Sequence, residues 1–225
     1  PIKITPNINS IAARGRMFEK FYVSCAICQP NRSTLMTGRM PSLHGVRHNG
    51  VPLDRRFHTF VDLMRVQGYQ TALVGKSHLM NMTSNEPRYG KPMPEYGKTP
   101  VPDEFKLAVP VDHEDSYYDQ EHPKNWHENS NFEVKLPFYG FDHVDLQTGH
   151  ADGVGGDYQR WLEAKHPNSK SLKGLENALP FDYTASQAWR TAIPEELYPT
   201  SYITEKSIEY LEKHTVDGEN NPFFL

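Results

Sequence analysis

The sequence predicts an α/β fold, and three observations carry the prediction. Between Thr59 and Val74 a capped amphipathic helix runs through a glycine into a short apolar strand, the grammar of such folds. That strand ends at Gly75 and gives way to polar residues, which is where these sheets gather functional groups. Further on, a strand at 141–146, helices at 156–165 and 200–213 and an apolar run at 222–225 continue the alternation. A chain of 225 residues is long enough to bury a sizeable core, and its length suggests one domain or two.

The elements follow in order. Thr5-Pro6-Asn7 opens a helix with Thr as N-cap and Pro at its first position; Ile8, Ile11 and Ala12 share a face, and Gly15 ends it. Met17 to Val23 is expected as a short strand on Phe18, Phe21 and Val23. Ser33 to Met36 is expected to be helical and to stop at Gly38. Thr59 caps the helix of Phe60, Leu63, Met64 and Gln67, Gly68 closes it, and Tyr69 to Val74 is the strand. From Met80 to about Pro137 the periodicity dissolves into Pro, Gly, Tyr and charged residues. This loop-rich insertion (80–137) is expected to run over the surface, its aromatic residues Tyr117, Tyr118, Trp126 and Phe132 favouring order near a substrate cleft. The helix at 156–165 carries Tyr158, Trp161 and Leu162 on one side, and that at 200–213 carries Tyr202, Ile203, Ile208 and Leu211. Pro222 to Leu225 reads as a buried strand cut short. With Pro1 in place of a starting Met, both ends are expected to lie inside a larger fold.

Composition excludes several classes. Hydrophobic residues make up 37% and charged residues 23%, which is globular and not disordered. The net charge of −4 and the scattered Lys and Arg give no nucleic-acid footprint. No stretch is long and apolar enough for a membrane span, no signal-peptide pattern opens the chain, and the compartment stays unassigned. The pair Cys25 and Cys28 forms a C-x-x-C. Zinc would need a second ligand pair, and a thioredoxin-type motif would open a helix directly, where Pro30 and Arg32 stand instead. Cys25 is expected to be a small buried hydrophobe.

The residues after Cys28 carry a sharper signal. Cys28-Gln29-Pro30-Asn31-Arg32, extended by Leu35-Met36-Thr37-Gly38-Arg39 and then Pro41, His44 and Gly45, resembles the signature of type I sulfatases. Asn31 stands where the family usually has Ser. Gly68-Tyr69 through Gly75-Lys76-Ser77-His78-Leu79 resembles the second signature, and Pro222 to Leu225 the opening of a later block. The resemblance covers most of the chain apart from Met80 to Pro137. It implies the alkaline phosphatase-like sandwich, a large central mixed sheet flanked by helices, of which residues 1–225 would be an incomplete catalytic domain. It also implies a sulfuric ester hydrolase that cleaves a sulfate monoester, a periplasmic, secreted or lysosomal-type setting, and a formylglycine-generating enzyme as partner for Cys28.

Chemistry makes sense of these residue types. A hydrated aldehyde places two hydroxyls on one carbon, so one can attack sulfur and the other can later expel sulfate. The anionic ester needs fixed cations and donors around it. Arg32 lies one helical turn beyond Cys28, at a helix start that itself favours anions. By resemblance, Arg32 holds the hydrated aldehyde, Lys76 binds a sulfate oxygen and His78 assists the leaving group. Asn49 is open between a turn residue and a substrate contact.

Two departures stand out. The resemblance implies a divalent cation, calcium in most of the family, bound by Cys28 as formylglycine and by carboxylates from an Asp-Asp pair and a later Asp-Asn or Asp-His. Neither carboxylate block occurs in these residues, so the chain by itself is expected to bind the metal poorly and to be inactive. Tyr198 stands where many relatives are expected to place a substrate-facing His, and it donates a hydrogen bond without carrying positive charge. Asp152 is expected in a turn role. The rivals are a phosphonate or phosphate ester hydrolase, whose second signature has Tyr and Thr in place of Lys76 and His78, and a non-catalytic sulfatase-like binding domain.

Overall fold

The computed structural model describes residues 4–83, 116–185, 188–216 and 221–225. At its centre lies strand β1 (Gln70–Gly75), hydrogen-bonded in parallel to β2 (His143–Thr148) on one side and to β4 (Phe223–Phe224) on the other. The two-residue strand β3 (Gly155–Gly156) adds antiparallel to β2, giving a mixed sheet in the order β3-β2-β1-β4. Helices flank it, so the observed architecture is the expected α/β one. Strand β2 begins two residues later than expected, because the bridge Phe138–Phe141 and its turn occupy the chain up to that point. Phe223 is exposed and Phe224 half-buried, less buried than expected, since β4 pairs with β1 alone among the described residues.

Helix α4 (Phe60–Val66) shows why the clearest sequence unit folds as read. Thr59 accepts from Asp62 N at 3.1 Å, and Asp62 Oδ2 accepts from Thr59 N at 2.7 Å, a reciprocal capping box. Close packing fixes the same end from outside: at Gly140 (φ +92°) an added Cβ would stand 2.4 Å from Asp62 N. Helix α1 (Pro6–Arg14) forms at the predicted place, but it buries no residue. The strand expected at Met17–Val23 is absent, and all of these residues are exposed. A strand needs a hydrogen-bonding neighbour, and none of the described residues supplies one.

Helix α2 (Cys28–Thr37) starts five residues before the expected Ser33. Pro30 does not obstruct it, because a first-turn N–H has no intrahelical acceptor to lose. Gly38, left-handed at φ 66°, ends it as expected. A short helix α3 (Pro41–His44) follows.

The expected surface excursion needs correction in part. Residues 84–115 lie outside the described residues. On either side of them the chain is packed inward: Leu79 to Met82 and Tyr117, Tyr118, Gln120 and Glu121 are all buried. Tyr117 and Tyr118 join Leu79, Met80, Phe138 and Tyr139 in the main core, where each fully buried apolar side chain contributes about 1.5–3 kcal/mol. Helix α5 (Pro123–Glu128) carries the buried Trp126. A second, smaller core joins helix α6 (Asp157–Lys165) to helix α7 (Pro199–Val216) through Tyr158, Leu162 and Tyr202.

Candidate active site

Cys28 is the first residue of α2, a half-buried free thiol. The preceding Ile27 offers no capping side chain, so the helix start is capped from a distance. Asn49 Oδ1 accepts from Gln29 N at 3.1 Å and from Cys28 Sγ at 3.4 Å. Asn49 therefore terminates the helix and touches the candidate nucleophile with one oxygen. Behind it, Gln29 is wholly buried and fully used: Nε2 donates to Val51 O and Leu79 O, and Oε1 accepts from Gly50 N at 2.7 Å. This side chain ties α2 to the Asn49 loop and to the chain beyond β1.

Arg32 lies on the next turn of α2. Its Nη1 donates to Lys76 O at 2.9 Å and to Ser77 O at 3.3 Å, joining the nucleophile helix to the carboxyl end of β1. Lys76 Nζ reaches the other way, to Gly149 O at 3.0 Å and His150 Nε2 at 2.9 Å, just past the carboxyl end of β2. Burial lowers the Lys76 pKa, and Arg32 lowers it further. The His150 pKa is lowered by burial and then by Lys76 and Arg32, so a neutral imidazole accepts from the ammonium.

His78 is 2% exposed, and neither ring nitrogen has a partner among the described residues. Burial, then Lys76, Arg32 and His150, push its pKa down to about 3. Its backbone is left-handed, at φ 54°. Tyr198 does not meet Cys28; with Lys76, His150 and Pro199 it walls a cavity of about 280 Å³. His150 also borders a larger cleft of about 830 Å³, walled by Trp126, Arg160, Lys173 and Trp189. Asp152 lies in a 3-10 turn, as expected, but is buried, accepting from Trp189 Nε1 at 2.8 Å and Gly174 N at 3.2 Å.

The chain thus brings together Cys28 with Asn49, Arg32 with Lys76, and Lys76 with the Tyr198 cavity. Sequence reasoning missed Gln29, His150 and Glu121. His150 had a usable signal, two residues past the end of β2 as Lys76 is one past β1. Among the described residues no three His, Cys, Asp or Glu side chains converge to hold a metal ion. The cations Arg32 and Lys76 suit an anion and not the oxygen cage of a hard divalent cation.

The family profile described as Sulfatase matches residues 1–225. The chain belongs to the sulfatase family. It is 38% identical over 87 residues to arylsulfatase A of Bos taurus and 34% identical over 94 residues to arylsulfatase G of Mus musculus, alignments that cover 35% and 39% of this chain. It is 28% identical over 172 residues, 68% of this chain, to N-acetylgalactosamine-6-sulfatase of Rattus norvegicus. These alignments span only 17%, 18% and 29% of the three relatives' own lengths. Among solved structures, the phosphonate monoester hydrolase of Agrobacterium radiobacter superposes over 98% of this sulfatase chain and 34% of its own, with a TM-score of 0.56 and 25% identity. The fold is the alkaline phosphatase-like one. Membership implies, in general terms, a formylglycine and a divalent cation. No helix among the described residues is long and apolar enough to cross a membrane.

Proposed function

We propose that this site hydrolyses a sulfate monoester to alcohol and sulfate, with Cys28 as the precursor of the nucleophile. The observation that carries the reading is the tie between Arg32 Nη1 and the Lys76 carbonyl, which joins the helix that bears Cys28 to the loop that bears Lys76, whose ammonium is close enough to feel the charges of Arg32 and Cys28. A formylglycine at Cys28 would supply, as its hydrate, one hydroxyl for attack and a second for release of sulfate.

The chain's own residues then have separable tasks. Asn49 Oδ1 accepts from whatever donor stands at position 28, as it accepts from Cys28 Sγ here. Arg32 would hold the hydrated aldehyde at position 28 and Lys76 binds a sulfate oxygen, with His150 and Gly149 to hold its ammonium in place. His78 is held neutral near pH 7, so it contributes an N–H donor to the ester oxygen and not a full positive charge. Tyr198 contacts the substrate from the cavity it shares with Lys76. The calcium expected from the family would take oxygen ligands beyond those described, and a formylglycine-generating enzyme would be the maturation partner.

A phosphonate or phosphate ester hydrolase is the second reading, favoured by the likeness to the Agrobacterium enzyme. The test is peptide mass spectrometry after co-expression with a formylglycine-generating enzyme, followed by parallel assays on 4-nitrophenyl sulfate and a phenyl phosphonate ester. Trypsin releases Phe21 to Arg32, and an aldehyde at position 28 with preferred turnover of the sulfate is expected. Preferred turnover of the phosphonate would establish the second reading. An intact thiol in protein that has met the maturation enzyme would overturn both.

A further inference from the structure

The chain leaves β1 through five residues, Lys76 to Met80, that belong to no helix or strand. Their backbone groups need partners, because Ser77 to Met80 are all buried. On the carbonyl side Arg32 takes Lys76 O and Ser77 O. On the amide side a single carboxylate takes three successive N–H groups, those of His78, Leu79 and Met80. Glu121 Oε1 accepts from His78 N at 2.7 Å and from Ser77 Oγ at 2.9 Å. Its Oε2 accepts from Leu79 N at 2.8 Å and from Met80 N at 2.6 Å.

Glu121 is 0% exposed. Burial raises its pKa, while the Met80, Ser77, His78 and Leu79 donors pull it back. Four donors fill the four acceptor sites of a carboxylate, and a carboxyl proton would face one of them, so this geometry belongs to the ionised form. The loop is thereby gripped from both sides. Its middle residue, His78, is held in a left-handed conformation that is uncommon outside glycine, although His adopts it more often than most residues, with its ring enclosed and both nitrogens unpartnered among the described residues. A strained backbone next to candidate catalytic side chains persists only where its surroundings over-determine it, and Glu121 is the group that does so.

We propose that Glu121 is a positioning residue of the site, whose carboxylate fixes the Lys76–Met80 loop so that Lys76 and His78 are presented together on the Arg32 side of the sheet. The inference rests on the roles given to Lys76 and His78 above. Glu121 touches no reacting atom. It acts through the amide of His78 and those of Leu79 and Met80 behind it.

The experiment is Glu121→Gln in the matured protein, read in three ways. An amide keeps one oxygen but turns an NH2 toward two N–H donors, so hydrogen exchange followed by mass spectrometry should show faster exchange confined to the 77–80 peptide. Steady-state kinetics on 4-nitrophenyl sulfate should show kcat reduced about 10–100-fold with KM changed less than about three-fold, the pattern of lost orientation. Glu121→Asp, which keeps the charge, should recover part of kcat, and Ser77→Ala, which removes one of the four donors, should lose less than Glu121→Gln. Thermal melting sets the folded fraction for each variant, and should Glu121→Gln fail to fold, Asp and Ser77→Ala carry the comparison. Unchanged exchange at 77–80, or unchanged kcat per folded molecule, would overturn the inference. A wild type that carries the aldehyde at position 28 and a bound divalent cation yet turns over neither sulfate nor phosphonate overturns the function proposed above, and the exchange of the 77–80 amides then decides the positioning claim alone.

Discussion

The loop that leaves β1 and the segment that leads into α2 are held in opposite ways. Lys76 to Met80 has no regular secondary structure, yet Arg32, Gln29 and Glu121, from distant parts of the sequence, bind its carbonyls and amides. Residues 4–23 contain a well-formed helix, α1, and nearly every side chain in them is exposed, including Ile8, Phe18, Phe21 and Tyr22. Regularity and fixation are therefore separate properties. Helix α1 follows from local signals, Pro6 at its first position and Gly15 at its end, which cost little to satisfy and create no burial. The loop follows from long-range polar contacts that no local pattern announces.

The sharpest way to break this contrast is at Arg32, which belongs both to the grip on the loop and to the proposed anion site. Arg32→Ala removes two carbonyl contacts and a fixed positive charge at once. The expected result is a fall in kcat/KM for sulfate ester hydrolysis of about 10³-fold. Arg32→Lys should recover little, since an ammonium does not reproduce the planar fork. Steady-state kinetics on both variants checks this, and an Arg32→Ala enzyme within ten-fold of wild type would mean that the loop is fixed without it.

A second test uses protons. Burial holds the His78 pKa down at about 3 in the fold, below the ordinary histidine value of 6.5. Between those values the unfolded chain binds a proton that the native state refuses, so stability rises with pH across the window. The contribution is complete above 6.5 and is lost as pH falls toward 3. The slope reaches about 1.4 kcal/mol per pH unit, so about 2–3 kcal/mol should vanish between pH 6.5 and 4.5. His44 and His150, whose pKa values are also lowered, add losses of the same sign. Urea melts of wild type and His78→Gln isolate the His78 share as the difference between their pH slopes. Parallel slopes would show that the loop opens to water, and the grip described for it would then be wrong.

Much of this fold was legible because its signals are short. Thr59 as the cap of α4, Gly38 after α2, and the apolar run into Gly75 each lie within a few residues of what they specify. The candidate site was read from the resemblance of the segments around Cys28 and Lys76 to a known family, with Asn49 left open between turn and contact. The unread part is the part built from contacts distant in sequence. Gln29 reaches Leu79, fifty residues away, and Glu121 reaches Met80 from forty-one. In sequence both look like solvated polar residues, Glu121 inside a stretch with no periodicity at all. The strand expected at Met17–Val23 failed for the converse reason: its alternation was real, but alternation specifies a face and not a neighbour to pair with.

The exposed segment sharpens the comparison from its other end. Phe18 is 69% exposed and Phe21 79%, so neither contributes the transfer free energy of a buried aromatic ring. Phe18→Ser with Phe21→Ser should change the unfolding free energy by no more than about 0.5 kcal/mol, the range for surface substitutions that disturb no packing. The effect belongs instead to the surface, where Met17, Phe18, Phe21, Tyr22 and Val23 form a run of exposed apolar side chains of the kind that drives association. Denaturant melts and light scattering on the same samples separate the two, and lower scattering at unchanged stability is the expected pair of results. A stability loss above about 1 kcal/mol would mean that these rings are buried in solution, and the segment would then be fixed by packing as firmly as the loop beyond β1.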